Sequence, residues 1–114
     1  MALRMRRNRS PDLPDECPLA ECMALLGGAW APNVIWHLAG GPRRFGELRA
    51  DIPPISARVL SARLRELEAR GVVTRTVAPT SPPSVEYALT VLGRELLPAL
   101  AAIVEVGRRL KQVR

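Results

Sequence analysis

The chain has two cysteines, one histidine, a single lysine and no apolar run long enough to cross a bilayer. Each scarcity excludes something. Cys17 and Cys22 are too few and too close for a disulfide framework, and in a reducing compartment they rest as thiols. His37 stands alone, no Cys/His/Asp cluster has metal-ligand spacing, and no glycine-rich loop follows a strand. Neither a metal, a cofactor nor a catalytic centre is therefore expected. The basic start gives way to Pro-Asp-Leu-Pro-Asp-Glu, which is unlike a secretory signal. A cytoplasmic location without membrane attachment is the expectation.

What is present is ordinary for a small globular domain: 114 residues, 47% hydrophobic and 25% charged, enough for one core. The net charge of +6 favours a polyanionic partner such as nucleic acid. Arg4, Arg6, Arg7 and Arg9 supply four of those six charges, so the rest of the chain carries only about +2. Residues 1–16 read as a flexible basic arm, 17–109 as the folded domain and 110–114 as a tail.

The stretch Ile55–Gly71 organises the domain. Leu60, Leu64 and Leu67 recur at helical spacing and form one apolar stripe. Ser56 stands at the N-cap position after Pro53-Pro54, and Gly71 at the left-handed position that ends a helix. At about 100° per residue, Arg58, Ala62, Arg65 and Ala69 fall opposite the leucines, with Ser61 to one side. A leucine back and an arginine–serine front suit a helix lying in a DNA major groove, although amphipathic helices with arginines on the wet face are common.

Context sharpens that reading. Cys17–Leu26 and Ala31–Leu38 read as helices, the first with Leu19, Met23 and Leu26 on one face, the second with Val34, Ile35 and Leu38 inward. Trp30 and Trp36 read as core or near-core anchors. Arg43-Arg44-Phe45 is a short extended piece, and Phe45–Ile52 a helix of two turns ended by Pro53-Pro54. A short helix, a tight turn and a longer basic helix form a helix-turn-helix pattern. Val72–Val77 and Val85–Leu89 then read as two strands around a proline-rich loop. A hairpin in that place is a wing. The last helix, Val91 to about Arg109, is capped by Thr90 and kinked by Pro98. It carries one stripe of Leu92, Leu96, Leu100 and Ile103 and a second of Leu97, Ala101 and Val104. Two stripes in so small a domain point to a dimer interface, the alternative being that both pack on the domain's own core.

The expected fold is thus α+β, mostly α: a winged helix-turn-helix with a two-stranded β-hairpin wing and a C-terminal dimerisation helix. Leu96, Leu100, Ile103 and Val104 are the candidate dimer residues on it.

Several segments together resemble the HxlR-type transcriptional regulators. They are Cys17-Pro18, Leu26-Gly27-Gly28-Ala29-Trp30, Gly41-Pro42-Arg43-Arg44-Phe45-Gly46-Glu47-Leu48, Ile55-Ser56 with Val59-Leu60, and Arg63-Leu64-Arg65-Glu66-Leu67-Glu68. Gly71-Val72-Val73, Pro82–Thr90 and Gly93 complete the match. The resemblance implies a dimeric winged helix-turn-helix of MarR-like architecture that binds palindromic operator DNA, a repressor in the expected case. It also implies dimerisation through the first and last helices, so the expected fold has N- and C-terminal dimerisation helices and Leu19 and Met23 join the candidate dimer residues. Many members sense oxidants or electrophiles with a cysteine just before the first helix, and Cys17 occupies that position. The chain departs from the pattern in two places. Gly-Gly-Lys-Trp-Thr of many members is Gly27-Gly28-Ala29-Trp30-Ala31 here, and the wing tip has no lysine or arginine. Both changes imply fewer DNA-backbone contacts per subunit.

Ser56, Arg58, Ser61, Ala62 and Arg65 are the candidate groove residues, because arginine grips guanine O6 and N7, serine accepts several partners, and alanine touches a thymine methyl. Arg43, Arg44 and Arg75 are candidates for the DNA backbone. Arg63, beside the apolar stripe, either reaches a phosphate or pairs with Glu47 or Glu66. Cys17 at a helix start has a dipole that favours the thiolate, against the alternative of an inert buried cysteine. Cys22, about 140° further round that helix, is poorly placed for an intrachain bond with Cys17. Two other readings stay open: a winged-helix protein-interaction module, and a regulator responding to a small ligand rather than to oxidants.

Overall fold

The computed structural model describes residues 18–113. Cys17 and the basic arm lie outside them. Helices α1 (Pro18–Leu26) and α2 (Ala31–His37) lead into a short strand β1 (Arg43–Arg44). Then come helices α3 (Phe45–Asp51) and α4 (Ala57–Ala69), strands β2 (Val73–Ala78) and β3 (Ser84–Leu89), and helices α5 (Val91–Glu95) and α6 (Leu97–Val113).

The core is aliphatic. Val34, Ile35, Leu38, Leu48, Ile55, Leu60, Leu64, Leu67, Val72 and Val73 are fully buried, so α2, α3, α4 and the start of the hairpin share one interior. The three leucines of α4 provide the back expected of them. Ser56 caps that helix by accepting from the Val59 amide at 3.1 Å, and Gly71 closes it with φ +76°, a conformation other residues adopt only at a cost. Ile55 donates its amide to the Ile52 carbonyl at 3.0 Å, which tightens the turn between α3 and α4 around the two prolines.

The wing has three strands where the sequence reading expects two. β1 pairs antiparallel with β3, giving the order β1-β3-β2. Arg43-Arg44 are extended as expected and pair with the free edge of β3, while Phe45, read with them, instead starts α3.

The C-terminal helix is divided rather than merely kinked. α5 ends at Glu95, α6 begins at Leu97, and Pro98 falls in the first turn of α6, where its missing N–H costs nothing. α6 also runs to Val113, through residues assigned to a tail from the sequence. The dimer stripe divides as well. Leu100 is only 4% exposed and belongs to the core, and Leu96 packs against it, whereas Ile103 is 56% exposed. Trp36 corrects another expectation. It is 41% exposed in a groove between α2 and α6, while Trp30 packs on the core as expected.

Candidate nucleic-acid interface

Two rows of side chains face one another across a cleft. The first lies on α4. Ser56, Arg58 and Arg65 are exposed and Ser61 and Ala62 half-exposed, all away from the buried leucines. The Ser56 hydroxyl oxygen is engaged as the cap, but its hydrogen remains free to donate.

The second row is made by the sheet. Residues directly opposite one another on paired strands share a face. Tyr87 on β3 stands opposite Arg75 on β2 and opposite Arg43 on β1. Val73 and Leu89, one step nearer the domain on that face, are buried, so the row Arg75–Tyr87–Arg43 lies on the core side of the sheet, turned toward α4. Ser61, Leu64, Arg65 and Glu68 of α4 line a single cleft with Arg75 and Tyr87. Three of the expected DNA residues, Ser61, Arg65 and Arg75, are therefore brought together by the tertiary fold.

Arg44 is not. It stands opposite Glu86, one residue out of phase, on the other face of the sheet. Its amide donates to Glu47 Oε1 at 2.8 Å, starting α3. Arg43 shares the face of Tyr87, but its guanidinium is paired with Asp51 at the end of α3. Arg63, for which phosphate, Glu47 and Glu66 are alternatives in the sequence, bonds both carboxylate oxygens of Glu66 at 2.9 Å and the Ala29 carbonyl at 2.8 Å.

The sequence reading missed Tyr87 and Glu68. A usable signal was there for Tyr87: Val85, Tyr87 and Leu89 alternate, so the buried end of the strand assigns Tyr87 to the inner face. Glu68 needed the position of β2, which no spacing within α4 reveals. Cys22 is exposed on α1. His37 is half-buried and lines the same groove as Trp36. No helix among the described residues is long and apolar enough to cross a membrane.

A short helix, a turn, a longer helix with an arginine front and a sheet closing one side of that front define a winged helix-turn-helix. Residues 25–113 match the family described as HxlR-like helix-turn-helix, and the chain belongs to it; it is a transcriptional regulator with a DNA-binding helix-turn-helix domain. It is 39% identical over 102 residues to the HTH-type transcriptional regulator YdeP of Bacillus subtilis, a span covering 90% of this chain and 80% of that protein. Among solved structures it is similar to the redox regulator HypR in its reduced form, with 40% identity, a TM-score of 0.79 and coverage of 84% of this chain and 95% of that one. It is likewise similar to the reduced transcriptional regulator YodB of B. subtilis, with 38% identity, a TM-score of 0.72 and coverage of 78% and 88%.

Proposed function

We propose that the chain acts as a homodimer that binds a palindromic operator and represses transcription there, with α4 in the major groove. The observation that carries this reading is the cleft in which Ser61 and Arg65 of α4 face Arg75 and Tyr87 of the wing. Arg58 and Arg65 read bases, and Arg75 holds a phosphate beside them. Dimerisation is supported by apolar side chains left open on two helices. Leu19 and Met23 on α1 and Ile103, Val106 and Leu110 on α6 are each at least half exposed, a run of open apolar side chains of the kind that marks an interface. The half-sites lie about one DNA turn, roughly 34–36 Å, or a multiple of it apart.

Oxidant or electrophile control through Cys17 belongs to the same reading, supported by similarity to HypR, a redox regulator. The test is fluorescence anisotropy on a duplex that this protein selects from a random-sequence library, titrated across salt beside a scrambled duplex. Two subunits bound per duplex, preference over the scrambled DNA and a steep log–log salt slope are expected. Diamide should release the wild-type protein and spare Cys17→Ser. A selection that enriches no sequence would instead favour the protein-interaction reading.

A further inference from the structure

We infer that Arg63 is a positioning residue for DNA reading: it fixes how far α4 slides and rotates against the α1–α2 turn, and it touches no DNA itself. The inference rests on the proposed groove-reading role of α4. At about 100° per residue, Arg63 lies roughly 140–160° around α4 from Arg58 and Arg65, on the flank turned toward α1 and α2. Its side chain is only 20% exposed. Nε donates to the carbonyl of Ala29 at 2.8 Å, a contact that spans 34 residues of chain. Nη1 donates to both oxygens of Glu66 at 2.9 Å, so the charge is neutralised on its own helix.

The seat is shaped for this guanidinium. A Cβ at Gly28 would lie 3.0 Å from Arg63 Nε, 3.2 Å from Cδ and 3.3 Å from Cζ. Next to it, directly after Ala29, Trp30 holds φ 68°, a left-handed backbone in a bulky residue.

The leucine stripe alone does not fix the register of α4. Apolar contact is non-directional and sets the distance between helix and core, while slide and rotation are better fixed by directed bonds. Base contacts demand that accuracy. The ion pair from Arg70, just past the end of α4, to Glu21 of α1 at 2.7 Å is too open to supply it, since the two side chains are 45% and 71% exposed.

Positioning and phosphate contact have opposite signatures. A lost phosphate contact weakens all DNA alike and lowers the salt slope by about 0.9. A lost positioning contact weakens the selected sequence and leaves the slope and the scrambled DNA alone. Two variants make the test. Arg63→Met removes the guanidinium. Gly28→Ala keeps every charge and crowds the guanidinium, which must give by a few tenths of an ångström, a displacement that a flexible side chain takes up without unfolding.

Both are titrated on the library-selected and scrambled duplexes, beside Arg58→Ala and Arg65→Ala, at a temperature where circular dichroism shows them folded. Arg63→Met should lose about tenfold on the selected duplex and Gly28→Ala a measurable part of that, with scrambled binding and slope unchanged. Arg63→Lys, which keeps a donor toward Glu66, should fall between Arg63→Met and wild type. A role in stability alone would lower the melting temperature and leave the ratio of selected to scrambled affinity intact, which overturns the inference. So would a lowered slope in Arg63→Met. If Arg58→Ala and Arg65→Ala lose the preference while Gly28→Ala and Arg63→Met keep it, the groove-reading role stands and this inference alone falls. If the wild type shows no preference, both fall.

Discussion

Gly93 rests its Cα against the carbonyl of Val72, so closely that a Cβ on residue 93 would run into that oxygen. The same carbonyl accepts the Thr90 amide at 3.0 Å, and the Thr90 hydroxyl caps α5 by accepting from the Gly93 amide at 3.0 Å. The junction of wing and C-terminal helices is thus locked to the end of α4. Gly93→Ala should cost about 1–3 kcal/mol through this overlap with backbone, which cannot swing away as a side chain would. Thermal denaturation followed by circular dichroism should show a drop of several degrees; an unchanged midpoint would mean that α5 moves freely.

Arg58 and Arg65 are exposed and make no contribution to the core. Replacing either by Ala should leave the melting temperature within about a degree and cost about 1–3 kcal/mol in specific binding, roughly 5–150-fold. Anisotropy on the selected duplex reads this directly. Normal binding by both variants would remove α4 as the reading helix.

The wing separates two arginines that the sequence groups together with a third. Arg75 lies on the face turned to α4 and Arg44 on the opposite one. Arg75→Ala should lower the salt slope by about 0.9, the loss of one phosphate contact, and Arg44→Ala should leave it unchanged. Equal effects would show that DNA meets the sheet on both faces.

Leu100 and Ile103 are one turn apart on α6 and do different work. Leu100→Ala removes a core side chain and should cost about 2–5 kcal/mol in thermal or urea unfolding. Ile103→Asp alters a side chain that is 56% exposed, so the protomer should stay folded while sedimentation velocity shows a shift to monomer. A variant that sediments as the wild type would exclude this stretch of α6 from the interface.

Much of this protein is determined locally. The leucine spacing of α4, its serine cap and its glycine stop are properties of 17 consecutive positions, 55–71, and the arginine face follows from helical geometry alone. The order of helices and hairpin is largely local too, because most boundaries carry a Pro, Gly, Ser or Thr that acts on its own neighbours. Tertiary structure decided what no spacing encodes. The extended piece Arg43-Arg44 joins the sheet because β3 offers an unpaired edge, and the register of that pairing puts Arg43 on the face of Tyr87 and Arg44 on the face of Glu86. Leu100 is core and Ile103 is surface although both read as one stripe, since which part of a wide apolar face is covered depends on where α2 lies. Arg63 pairs with Glu66 rather than Glu47, and its Nε bonds the Ala29 carbonyl, a partner far away in sequence. Periodicity specifies a face, and only packing specifies what meets it.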